Sequence, residues 1–221
     1  MIKVCGLRDG ENIRQVASLG VDWIGLIFWP KSPRYVTMIP SLSGTLPDRA
    51  DVQCSFFDTP CKRVGVFVDP MAQDIITHVV NFHLDLVQLH GHETPTLIRN
   101  LRRTLADICP GVQFIKAISV SSRDDIATYK DYEDCVDYFL FDTKCKTVGG
   151  SGEQFDWSVL DAYDGEVPFL LSGGIGPDDV EGVRSFHHPQ CIGIDLNSRF
   201  ETAPAVKDVD LLRSFLQQVG A

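Results

Sequence analysis

Five side chains able to hold or move a proton, Cys5, His90, Asp142, Ser172 and Asp195, each stand at the end of a short apolar run. Thiol, imidazole and carboxyl groups brought to one rim are the usual material of proton-transfer chemistry. Near two of them the chain turns on small residues. Ser172-Gly173-Gly174-Ile175-Gly176-Pro177-Asp178 leads from an apolar run towards a helix-like stretch. Glycines there let backbone N–H groups approach an anion, and a helix start favours negative charge. A second polar turn, Asn197-Ser198, follows Asp195. Together the two turns point to a phosphate seat. Lys116, which we place on the inward parity of its run, offers another chemistry, a Schiff base with a carbonyl substrate.

The elements that must position these groups are eight apolar runs, at 2–5, 23–28, 63–68, 85–89, 113–117, 138–142, 169–172 and 191–195. They recur roughly every 27 residues, about what a strand, a covering helix and two loops require. Helical spacing marks 11–19, 71–82, 95–105, 123–130, 177–186 and 208–219, with a shorter piece near 156–163. Thr94-Pro95, Ser122 and Asp208 read as helix starts, and one helix is entered through Asp69-Pro70. Eight alternating units predict an α/β chain forming one (βα)8 TIM barrel over 1–221, with an open doubly wound sheet as the other solution. Residues 37–61, with three prolines and no 3.6-residue period, predict an irregular segment in place of a regular second helix.

Strand alternation sharpens the expectation. Lys3 and Cys5 share a face against Ile2 and Val4; Gln88 and His90 oppose Val87 and Leu89; Asp142 opposes Phe139 and Phe141; Asp195 opposes Ile192 and Ile194. The polar parity then faces the barrel interior, and the named groups fall on the C-terminal rim where barrel enzymes build their sites.

Composition narrows the partners. The 221 residues are 44% hydrophobic and 23% charged, so the chain can bury a core. A net charge of −10 argues against nucleic acid or an anionic membrane. No apolar run approaches a membrane span, and the N-terminus does not read as a signal peptide. Seven cysteines without a C-x₂₋₄-C pair fit neither a disulfide framework nor structural zinc. The expectation is a cytoplasmic protein, monomer or homodimer, whose partner is a small phosphorylated molecule.

Several stretches, in order, resemble the phosphoribosylanthranilate isomerase family. They are KVCGLRDGENI, FWPKSPRYV, RVGVFVD, VQLHGHE, FDTK with GGSGEQFDW, and LSGGIGPDDV. The resemblance runs from Lys3 to Asp208 except for 37–61, and it implies a single barrel of tryptophan biosynthesis. The implied reaction is an Amadori rearrangement of N-(5-phosphoribosyl)anthranilate to its 1-deoxyribulose 5-phosphate isomer, without metal or cofactor. By the same resemblance the general base falls on Cys5 and the general acid on Asp142, and Arg34 holds the anthranilate carboxylate. Phosphate would sit at Gly173 and Gly174 with Asn197 and Ser198. His90 and Asp195 are expected to orient substrate or neighbours. The thiol would need a locally lowered pKa.

Plainer readings stand beside these. Cys5 serves as a small buried hydrophobe, Asp142 as a loop cap, Arg34 as a surface charge. Other functions are a lyase or synthase using Lys116, or a phosphosugar-binding barrel without turnover. One departure is local. Where the family has D-x-S-S-G, this chain has Asp195-Leu196-Asn197-Ser198-Arg199. Either that turn changes shape or Arg199 is strained, and its charge points to solvent, to Glu201 or to the phosphate seat.

Overall fold

A computed structural model describes residues 1–37, 59–143 and 156–220. The eight apolar runs are strands, and each pairs in parallel with its sequence neighbour until β8 closes on β1. They are β1 (Ile2–Val4), β2 (Trp23–Ile27), β3 (Lys62–Phe67) and β4 (Leu86–Leu89). The second half comprises β5 (Gln113–Val120), β6 (Tyr138–Thr143), β7 (Phe169–Leu171) and β8 (Cys191–Leu196). The closed sheet decides against the open one. Most of 37–61, namely 38–58, lies outside the described residues.

The helices between strands are α1 (Gly10–Ala17), α2 (Ala72–Phe82), α3 (Pro95–Ile108), α4 (Arg123–Ile126), α5 (Val180–Ser185) and α6 (Val209–Val219). Three expected helices are shorter or tighter. After α4 the chain becomes a 3₁₀ turn over Ala127–Asp131, Trp157–Ala162 is 3₁₀ throughout, and Pro177–Asp179 is a 3₁₀ turn ahead of α5. Thr94 caps α3 by accepting from Leu97 N–H at 3.3 Å, and Asp208 caps α6 through Leu211 N–H at 3.0 Å. Asp69 caps nothing. It takes a left-handed φ of 47° and accepts the N–H of His92, tying the β3 and β4 loops together.

The alternation sorts two cores. Ile2, Val4, Val87, Leu89, Phe139, Phe141, Ile194 and Leu196 belong to the layer under the helices. Cys5, Trp23, Val64, Val66, Leu86, Ile115, Ala117, Leu140 and Leu170 pack together as the barrel filling. Burying the greasy parity behind the sheet leaves the polar parity free to gather at one end.

Lys116 is a correction. β5 aligns Gln88 with Ile115 and Leu89 with Lys116, so Lys116 shares the outward parity of Phe114 and Ile118. Its ammonium, 3% exposed, sits 3.0 Å from Glu93 Oε2 and 2.6 Å from Gly91 O, behind the barrel wall. A strand greasy on both faces gives no polar–apolar contrast from which parity can be read. The Schiff-base reading loses its nucleophile.

Sequence periodicity also misses an antiparallel hairpin, β9 (Glu201–Ala203) and β10 (Val206–Lys207), between β8 and α6. It turns through Ala205 at φ 68°.

Burial pushes the thiols of Cys5, Cys61, Cys135 and Cys191, and the hydroxyls of Tyr129, Tyr132 and Tyr163, above their ordinary ranges. A raised value contributes stability fully below the unfolded pKa, and that stability is lost as pH rises through the folded one. The melting temperature should therefore hold up to about pH 8 and fall steadily above about pH 8.5, where unfolded thiols and then phenols ionise. Calorimetry finding no fall between about pH 8 and 11 would contradict this packing.

Candidate active site

Lys3 and Cys5 enter the barrel from β1. Lys3 lies opposite Asp195 across the β1–β8 seam, is 0% exposed, and donates to Asp195 Oδ1 at 2.8 Å. Its ammonium also acts on the neighbouring Cys5 thiol, drawing it towards ionisation. Room for the thiol comes from β2, because a Cβ on Gly25 would stand 2.7 Å from Cys5 Sγ.

From Asp195 the polar contacts continue. Ser172 Oγ, at the end of β7, is 3.3 Å from Asp195 Oδ2 and 3.5 Å from Asp142 Oδ1. Its single hydroxyl proton can serve either carboxylate. Asp142 Oδ2 is 3.2 Å from His90 Nε2, and His90 Nδ1 is 3.1 Å from Gln88 Nε2. One chain of side chains thus joins Cys5 to Asp142 and runs on to Gln88.

A second group surrounds the C-terminal end of β1. Arg34 gives the edge formed by Nε and Nη2 to Glu201, at 2.9 and 2.7 Å. Lys207 donates to Glu201 Oε1 at 2.7 Å and to Asn197 Oδ1 at 2.8 Å. Gly6 makes the cluster possible. It has φ 77°, and a Cβ there would stand 2.6 Å from both Arg34 Cδ and Asn197 Oδ1.

The electrostatics follow from burial and partners. Burial pushes the Cys5 thiol up, more than Lys3 and Lys207 pull it down. The local lowering that a thiol base would need is outweighed, because the strand that brings Cys5 inward also removes it from water. Burial alone would lower Lys3, but Asp195 and Cys5 hold it above the ordinary lysine range. Burial would raise Glu201, but Arg34 and Lys207 hold it low. At Lys207 burial prevails over Glu201, and the ammonium lies below its ordinary range.

The glycine turn lies beside Asp142. Gly173 and Gly174 have φ of 94° and 68°, and a Cβ on Gly173 would stand 2.3 Å from Thr143 Oγ1. Arg199 lies against the same turn: a Cβ on Gly176 would meet its Nε at 2.9 Å. Ser198–Phe200 is a 3₁₀ turn, and Arg199 is not among the left-handed residues. The arginine in place of the family's glycine therefore carries no left-handed strain. Glu201, one partner considered for Arg199, is held by Arg34 and Lys207. Asn197 turns its side chain towards Lys207, so only its backbone faces the question of phosphate.

Similarity to known proteins identifies the family. A family profile for N-(5'phosphoribosyl)anthranilate (PRA) isomerase matches residues 2–218. This chain belongs to that family. An isomerase of Parabacteroides distasonis is 44% identical over 219 residues, 99% of this chain and 93% of its own length. The solved phosphoribosyl anthranilate isomerase of Thermotoga maritima is 30% identical, covers 99% of this chain and 98% of its own, and superposes with a TM-score of 0.78. A third relative, 28% identical over 99% of this chain and 97% of its own with a TM-score of 0.73, was solved with reduced 1-(o-carboxyphenylamino)-1-deoxyribulose 5-phosphate.

Sequence reasoning on this isomerase missed Lys3, Glu201 and Lys207 as parts of the site. Lys3 had a usable signal, a lysine on the inward parity of a short strand. Glu201 and Lys207 had none, since their hairpin is too short to show a period and Glu201 meets Arg34 across 167 positions.

Gly6→Ala tests the rim cluster. A left-handed alanine costs roughly 1–2 kcal/mol before any clash, and here it also displaces Arg34 and Asn197. We expect a lower melting temperature together with weaker binding of a carboxylate-bearing product analogue. Unchanged values for both would mean that Gly6 is an ordinary turn.

Proposed function

We propose that the chain converts N-(5-phosphoribosyl)anthranilate to 1-(2-carboxyphenylamino)-1-deoxyribulose 5-phosphate in tryptophan biosynthesis, with Asp142 as general acid and Cys5 as general base. The observation that carries this assignment is the chain of side chains from Cys5 through Lys3, Asp195 and Ser172 to Asp142. Both groups stand on the inward parity at the C-terminal rim, where substrate enters such barrels.

The chemistry needs one proton given and one taken. Asp142 protonates the ring oxygen, the C1–O bond breaks, and the nitrogen lone pair forms an iminium. That cation acidifies the C2 hydrogen, so a modest base suffices. Cys5 takes it, and the resulting enol relaxes to the ketone. The step leaves a thiol and a carboxylate, and proton exchange with water returns both to their starting forms.

Charge counting fits this exchange. Lys3, Lys207 and Arg34 stand against Asp195 and Glu201, leaving one positive charge among five buried groups. A single anion neutralises it, either the Cys5 thiolate or the Asp142 carboxylate. Burial favours the thiol, so the reactive form arises by moving that proton to Asp142, which leaves the anion on Cys5.

Two anion seats hold the substrate. The Gly173–Gly174 turn, with the backbone of Asn197 and Ser198, receives phosphate, and Arg199 beside Gly176 adds positive charge. Arg34 presents its remaining guanidinium edge, carrying Nη1, to the anthranilate carboxylate. His90 orients Asp142 or substrate, and Asp195 holds Lys3. The reaction calls for no metal or cofactor. The setting is the cytoplasm, which suits the five free cysteines among the described residues, and the chain works there as a monomer or homodimer. No described helix is long and apolar enough to cross a membrane.

Cys5→Ala and Asp142→Asn should each lower kcat by about 10²–10⁴-fold while circular dichroism and melting stay near wild type. Near-normal kcat in either variant contradicts the assignment. Arg34→Met should weaken a carboxylate-bearing product analogue far more than a bare phosphosugar, and equal losses would place the carboxylate elsewhere.

A further inference from the structure

Gln88 is 1% exposed on the inward parity of β4, and its Oε1 has no hydrogen-bond partner among the described residues. A buried amide carbonyl without a partner is unusual enough to need a reason. Its other end, Nε2, meets His90 Nδ1 at 3.1 Å, and His90 Nε2 meets Asp142 Oδ2 at 3.2 Å.

We propose that Gln88 is a positioning residue whose amide turns over to set the His90 tautomer, so that His90 can bond to Asp142 in both of its protonation states. The inference rests on Asp142 being the general acid. With Gln88 Nε2 donating to Nδ1, the imidazole proton sits on Nε2 and donates to an ionised Asp142. That arrangement suits the carboxylate left after proton transfer. When Asp142 is protonated, its O–H must donate, and Nε2 must accept. The imidazole proton then sits on Nδ1 and needs an acceptor, which Gln88 supplies by turning Oε1 towards it. Because Oε1 has no partner to lose, the rotation exchanges one bond for one bond. The imidazole stays neutral throughout, and no proton is created or consumed: only the Nδ1 and Nε2 sites exchange occupancy.

Among the described residues, the titratable groups facing Asp142 are His90 from the end of β4 and, across Ser172, Asp195 from β8 with Lys3 from β1. None of the others contacts His90 Nδ1, so among the described residues it is Gln88 that meets Nδ1 and selects the tautomer.

The test is Gln88→Met, close in size and lacking both amide ends, with Gln88→Leu as a second variant and Asp142→Asn as the reference. Without Gln88 the imidazole has no acceptor at Nδ1 and keeps its proton on Nε2, which favours the carboxylate. The limb of kcat/KM that reports Asp142, the acidic one beside a thiol raised by burial, should move down by about half to one pH unit, the scale of one hydrogen bond, and the plateau should fall by the matching factor with KM little changed. Nitrogen-15 spectra of the His90 ring should show the Nδ1–H form appearing in wild type as Asp142 is protonated, and only Nε2–H in the variant. An unshifted limb and unchanged His90 spectra, with Asp142→Asn inactive, would overturn the role of Gln88 alone. Full activity in Asp142→Asn would overturn the acid assignment and this inference with it. The wild-type spectra decide the tautomer even if both Gln88 variants fold poorly.

Discussion

The buried ion pair of Lys3 and Asp195 is the constraint from which the rest of the site follows. It spans the β1–β8 seam, at the register that closes the barrel, and neither member has appreciable contact with water. Removing one partner from such a pair typically costs about 3–5 kcal/mol, because the other is left charged and dry. The chain therefore cannot close its sheet in another register without stranding a charge. The same pair sits between Cys5 on one side and Ser172 on the other, so the contact that registers the strands also connects the two groups we propose as base and acid.

The rim cluster works by the same logic at a shorter range. Arg34 arrives from the loop after β2, Glu201 and Lys207 from the hairpin after β8, and Gly6 gives up its side chain so that they meet. In a protein of net charge −10, Arg34 and Lys207 against Glu201 leave a local surplus of positive charge at the rim. Glu201 holds Arg34 in place along one edge, and a guanidinium fixed in this way loses less freedom when its other edge binds.

The strands were legible because alternation and spacing are properties of neighbours in sequence. Cys5, His90, Asp142 and Asp195 could be assigned to one rim for that reason. Lys116 could not, since β5 is apolar on both sides of it and only the pairing of Gln88 with Ile115 reveals the parity. The Arg34–Glu201 contact was invisible because it joins segments 167 residues apart through a hairpin with no periodic signature. The upward Cys5 shift was not legible for a related reason. Type and motif announce a reactive thiol, while burial, which opposes its ionisation, is a property of the closed barrel.

Lys3 and Asp195 together hold Cys5 closer to ionisation than its burial alone would allow. Thiolate absorbance near 240 nm, followed against pH as the difference between a protein and its Cys5→Ala version, measures this directly. The comparison is between wild type and Lys3→Met/Asp195→Asn, which removes the pair without stranding a charge. The account predicts that the Cys5 midpoint moves to higher pH in the double variant, because the loss of the Lys3 ammonium outweighs the loss of the Asp195 carboxylate. A midpoint that stays in place or moves down would contradict it.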